Sequence, residues 1–166
     1  MKPLPHASYV GLGSLLSMAS LAGVAAITHT PFIFPSLGPT AYLLYFAPTA
    51  AASTPRACLL GHAIALVCGY FALTVSGLVD RPPDVAVQVE WARILSAGLS
   101  LGLTCFFLVL FKIDHPPAGA TTLIVSLGLI TQPWQLVVME VAVGVLLVQA
   151  LVLNALVRRF EKKPSG

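Results

Sequence analysis

From Pro3 to Pro55 the chain carries no Asp, Glu, Lys or Arg. One apolar helix crosses a bilayer with about 20 residues, so this uncharged run is long enough to cross twice. The rest of the sequence agrees, with 57% of its 166 residues hydrophobic and 9% charged and a mean hydropathy of +0.91, far from the composition of a soluble domain. The expected class is an all-α integral membrane protein.

The net charge of +3 gathers at the two ends, in Lys2 and in Arg158, Arg159, Lys162 and Lys163, with Glu161 among them. Basic flanks of membrane helices stay on the cytoplasmic side. This predicts a bacterial inner (plasma) membrane protein with both termini in the cytoplasm, and the same cations are read as a topology signal rather than as a nucleic-acid surface. Cys58, Cys68 and Cys105 fall in apolar segments with no close pair and no clustered His or Asp, so they are assigned to packing and no metal or cofactor is expected. The apolar run from Val10 to Ile27 exceeds the 7–15 residues or so of a signal-peptide core and is read as a mature helix. With no nucleophile elbow, paired carboxylates, HExxH or phosphate loop, no enzyme activity is expected.

Four long helices are expected, at about Tyr9–Thr28, Pro55–Val79, Val89–Phe111 and Trp134–Val157. Gly, Ser and Ala in the first one allow close helix contact. Gln149 and Asn154 in the last are expected to bond to neighbouring helices. Between the first and second helices, Pro31, Pro35 and Pro39 forbid a continuous helix, which resumes near Pro39 and runs to about Ala47. Between the third and fourth, Asp114-His115-Pro116-Pro117 breaks the chain, and a short helix opens at Pro117 and runs to about Ile130. The polar linker Arg81-Pro82-Pro83-Asp84 divides the chain into halves, and adding 81 carries Pro35 to Pro116, Gly38 to Gly119 and Thr40 to Thr121. One membrane domain, residues 1–166, is therefore expected to hold two internal repeats, at about 9–80 and 88–158, each with one proline-broken short helix. If the broken strips pass through the membrane there are six crossings and inverted repeats; if they dip and return there are four and parallel repeats. Only Lys112, Ile113 and Asp114 separate the third helix from His115, too few for a deep descent, which favours six.

Two constellations could carry function. The first joins the starts of the short helices: Ser36, Gly38 and Thr40 in one strip, and His115, Ala118, Gly119, Ala120, Thr121 and Thr122 in the other. The leading N–H groups of a helix lie at its positive end, Gly119 has no Cβ to hold a ligand away, and the hydroxyls can donate, so a small anion suits this site. The second is His62 with Glu140, each seven residues beyond the proline that opens its helix, Pro55 and Pro133. Ionisable groups at that depth are costly alone, so a mutual proton or charge pair is expected.

The strips PFIFPSLGPTAYLL (31–44), TPRACLLGH (54–62) and HPPAGATTLIVSLG (115–128) resemble the HPP family of integral membrane proteins. Ala57 departs from the polar Asn expected there. The resemblance implies four spanning helices, and nitrite transport as reported for plastid and cyanobacterial relatives. The expected function is passage of a small monovalent anion, nitrite first. The alternatives are a channel or proton-coupled carrier for another small solute, and a membrane sensor or assembly subunit that transports nothing. With so few helices, the expected partners are the lipid bilayer and further copies of the chain, with the first helix as contact face.

Overall fold

The computed structural model describes residues 3–83 and 90–161, and the described residues are helical with irregular connections. Six α-helices follow in order: α1 (Pro3–Thr28), α2 (Leu37–Phe46), α3 (Pro55–Val75), α4 (Trp91–Leu110), α5 (Ala118–Ser126) and α6 (Pro133–Glu161), with a single 3₁₀ turn at Ala51–Ser53. Four of them, α1, α3, α4 and α6, are long and apolar enough to cross a membrane. The two short helices are the ones placed after the proline-broken strips.

The helix ends follow local chemistry. α1 begins earlier than expected, at Pro3, because Pro3 and Pro5 lie in a first turn whose N–H groups have no intrahelical acceptor. α2 likewise starts at Leu37, with Pro39 inside its first turn. Thr54 caps α3, its hydroxyl accepting the Ala57 N–H at 3.2 Å, with Pro55 as first helical residue. α3 stops at Val75 rather than Val79 because Gly77 turns left-handed (φ +67°) and the Leu78 N–H reaches back to the Leu73 carbonyl. Gly128 ends α5 the same way, with Leu129 N–H on Ile124 O, four residues short of the expected Ile130. α4 closes with the same 6→1 bond, Ile113 N–H to Leu108 O, although its left-handed residue is Lys112 (φ +53°) and not a glycine. The expected start of this helix at Val89, the linker residue Asp84 and the tail residues Lys162 and Lys163 lie outside the described residues.

Side-chain contacts give the direction of each element. Near the start of α1, Tyr9 donates to Asn154 late in α6 (2.6 Å), so both helix ends share one face of the bundle, the near face. The last residue of α2, Phe46, packs its ring 5.6 Å from that of His6 in α1, so strip and short helix together return to the near face. Arg56 at the start of α3 donates to the carbonyl of Phe111 just after α4 (3.3 Å), which brings those two ends together. In the second half, Ser96 early in α4 donates to the carbonyl of Ser126, the last residue of α5 (3.1 Å), so α5 travels away from the His115 end. Among the described residues the six helices therefore alternate in direction, so that those of the second half run opposite to those of the first.

Packing rests on close fit and buried polar contacts, because lipid removes the hydrophobic drive between helices. Tyr45 is fully buried, shares a 2.5 Å hydrogen bond with Ser17 and meets the Tyr9 ring edge-on at 5.8 Å. A Cβ on Gly13 would stand 2.9 Å from the Tyr45 ring, so this glycine lets α1 and α2 meet. Gln149 donates to Ser20 (2.7 Å) and Asn154 to the Leu44 carbonyl (3.1 Å), the interhelical bonds expected of them.

Candidate functional site

The two short helices meet on α3. His62, fully buried, holds a hydroxyl on each ring nitrogen: Thr40 of α2 at Nε2 (3.0 Å) and Thr121 of α5 at Nδ1 (2.7 Å). The Thr40 hydroxyl also donates to the Ser36 carbonyl at 2.9 Å, one turn earlier in its own chain. A hydroxyl has one proton, so Thr40 accepts from Nε2–H, and Thr121 donates to the lone pair at Nδ1. The result is a directed relay, Thr121 to His62 to Thr40 to Ser36, through a wholly buried region.

His115 stands beside it. Its ring centroid is 4.9 Å from that of His62, in edge-on orientation. Nδ1–H donates to the carbonyl of Ala52 at 2.8 Å, which fixes the tautomer and leaves the lone pair on Nε2. That nitrogen is buried and has no hydrogen-bond partner among the described residues; the hydroxyls of Ser36 and Thr122 share this condition. The close approach of α3 to His115 depends on Gly61, where a Cβ would lie 2.8 Å from the His115 Cβ. About two turns further along α3, Gly69 does the same against Thr122, whose carbonyl would be 2.8 Å away.

The structure revises three expectations. The N–H groups of Ala118, Gly119 and Ala120 are not free: they donate to the carbonyls of His115, Pro116 and Pro117 at 3.0–3.1 Å, because the Pro-Pro strip enters the helix through tight turns. Gly38 is exposed with open space where a Cβ would stand, and Gly119 faces Leu101 of α4 at an ordinary 3.6 Å, so neither glycine opens onto the buried cluster. His62 and Glu140 are not paired either, since both His62 nitrogens are taken by threonines and the buried Oε2 of Glu140 has no hydrogen-bond partner among the described residues. Of the first constellation, Ser36, Thr40, His115, Ala118, Thr121 and Thr122 are buried, whereas Gly119 and Ala120 are half-buried.

Sequence reading missed Cys58. Cys58, His62 and His115 each offer a ligand atom, and all three atoms lie within 4.8 Å of one another. The readable signal was the spacing of four from Cys58 to His62, which places both on one face of α3. Their junction with His115, far along the chain, was not readable.

A pocket of about 190 Å³ opens on the near face, lined by Ala51, Thr54, Arg56, Ala57, Lys112, Ile113 and Asp114. Ala57 and Asp114 are the chain neighbours of Cys58 and His115, so the vestibule stands over the buried cluster. It carries two cations and one acid. At the opposite face Arg93 is 2% exposed, donates to the Pro82 carbonyl, and leaves Nη1 without a hydrogen-bond partner among the described residues.

Searches of curated proteins and of solved structures returned no match. Residues 2–163, however, match the family model for the HPP transmembrane region, and with six helices, four of membrane-spanning length, around a histidine-centred seam, this chain belongs to the HPP family of integral membrane proteins.

Proposed function

We propose that this protein carries a small monovalent anion across the membrane, with nitrite as first candidate, along the seam where α2 and α5 meet α3. The observation that carries the reading is the Thr121–His62–Thr40 line. A histidine this deep in a membrane bundle is costly and is by default the mark of a solute or proton path. Ser36 and Thr122 add buried hydroxyls whose protons are uncommitted among the described residues and can be offered to an anion. The vestibule cations Arg56 and Lys112 raise the local concentration of anions at one mouth, and Arg93 places a further positive charge toward the other. The reading relies on side-chain donors rather than on helix-terminal N–H groups. Two halves running in opposite directions, each with a short discontinuous helix, also suit a carrier built from inverted repeats around a central site.

Flux tests it. Liposomes containing the purified protein should take up nitrite faster than protein-free liposomes, and His62→Phe, which removes the link between the short helices, should reduce that uptake at least tenfold while the protein stays monodisperse. Equal uptake with and without protein would reject the proposal.

A further inference from the structure

The buried cluster of Cys58, His62 and His115 has more than a path to explain. Three ligand-type atoms from two segments of the chain lie within 4.8 Å of one another, and Cys58 and His62 are fully buried while His115 is 1% exposed. We propose that these three residues bind a thiophilic d¹⁰ cation, Zn²⁺ or Cu⁺. This goes beyond the transport reading and does not depend on it.

His115 is prepared as a ligand. A metal-bound histidine commonly donates its other ring N–H to a backbone carbonyl or carboxylate, which fixes the tautomer and aims the free lone pair. Nδ1–H on Ala52 O does this, and the buried Nε2 has no hydrogen-bond partner among the described residues. If the cluster served packing alone, that unmade bond would stand as an uncompensated desolvation cost. His62 is held in a comparable manner: metal binding takes one of its two threonine contacts, and the other remains to orient the ring.

The donor set selects the class of ion. One thiolate with two imidazoles suits zinc or cuprous copper and disfavours magnesium or calcium, which require oxygen. Bonds of about 2.0–2.3 Å bring ligands sharing a tetrahedral ion to roughly 3.5 Å apart, so the present spacing closes by side-chain adjustment of about 1 Å. The residual charge is small: with two neutral imidazoles, one thiolate leaves a divalent ion with a single positive charge and cuprous copper with none. No protons or electrons beyond the release of the thiol proton to solvent are required.

Cobalt(II) is the probe. The full-length protein in detergent, stripped with a chelator, is titrated with Co²⁺ and read by absorbance, and is then challenged with Zn²⁺; Cu⁺ is tested separately against a chromophoric chelator. The expected result is about one Co²⁺ per chain with a thiolate-to-cobalt charge-transfer band in the near ultraviolet, displaced by Zn²⁺. Tight uptake of Cu⁺ alone supports the cuprous form. Cys58→Ser should abolish the band and His115→Gln should weaken binding at least tenfold, while Cys68→Ser and Cys105→Ser leave both unchanged. A wild-type protein that takes up none of the three ions overturns the proposal, and so does a folded Cys58→Ser protein that keeps the band. If Cys58→Ser fails to fold, the protein with both Cys68→Ser and Cys105→Ser decides, because Cys58 is then its one remaining thiol: uptake retained supports the proposal and uptake lost overturns it.

Discussion

Thr40 and Thr121 grip the two nitrogens of one imidazole, from opposite halves of the chain and from matching places in them, since adding 81 to the first gives the second. The ring of His62 is therefore the junction of the two short helices. Losing either threonine leaves a buried ring nitrogen unsatisfied, at a cost of about 1–3 kcal/mol. Thr40→Val and Thr121→Val should each lower the melting temperature in detergent. Because both act on one ring, the loss in the double variant should differ from the sum of the two. Strict additivity would mean that the relay is not cooperative.

Gly61 and Gly69 should tolerate no side chain. Gly61→Ala puts a methyl 2.8 Å from the His115 Cβ, and Gly69→Ala puts one 2.8 Å from the Thr122 carbonyl oxygen. Such overpacking costs about 1–3 kcal/mol. Gly119→Ala meets only Leu101 at 3.6 Å and should be stable and active. Thermal unfolding of the three proteins side by side checks the ranking, and a Gly119→Ala protein as unstable as the other two would contradict it.

Gly128 should also be restrictive, chiefly through its backbone. Its φ is +82°, and a Cβ there would lie 2.6 Å from Nη1 of Arg93. Gly128→Ala should destabilise by about 1 kcal/mol from backbone strain before any cost of moving the guanidinium is added. In an Arg93→Ala background the steric part should vanish and the strain remain. Thermal melts of the four combinations measure both parts.

The direction of the passes can be tested chemically. Cysteine introduced at Ala51, in a protein with Cys58, Cys68 and Cys105 replaced, should react with an impermeant thiol reagent from the side that holds both termini, and cysteine at Pro82 from the other side. If Ala51→Cys labels opposite to a C-terminal tag, the strips return to the face they left.

Charge at the vestibule should set the rate of capture. Arg56→Gln and Lys112→Gln should each reduce nitrite uptake several-fold at low ionic strength, and much less at high salt, where the Debye length falls to a few ångströms. Initial rates at two salt concentrations decide. An equal reduction at both would assign the effect to structure instead of steering.

The architecture was legible because the proline strips and the uncharged first third of the chain leave few alternatives. Pro31, Pro35, Pro116 and Pro117 marked both breaks, and the short helices follow them. Helix ends were less legible at their C-termini, where left-handed Gly77 and Gly128 stop α3 and α5 early, since a glycine in an apolar run does not announce its backbone angle. The site was half legible. Ser36, Thr40, His62, His115, Thr121 and Thr122 all lie in the buried region where the short helices meet α3, yet their bonding was not foreseen. His62 was paired in expectation with Glu140, matched in depth, but depth along a helix does not fix the face, and the ring turns to the short helices. The helix-start N–H groups were expected to be free because a proline pair marks a helix start without fixing whether the turns that lead into it close i to i+3 bonds.

Arg93 has a consequence in electrical terms. Its guanidinium is enclosed between the Pro82 carbonyl and Gly128 at the junction of α4 and α5. Any rearrangement that shifts this corner along the membrane normal moves a full elementary charge through part of the transmembrane field, which is worth about 2.3 kcal/mol per 100 mV for a complete traverse. The balance between such states would then respond to membrane voltage through this one side chain, whatever solute occupies the seam.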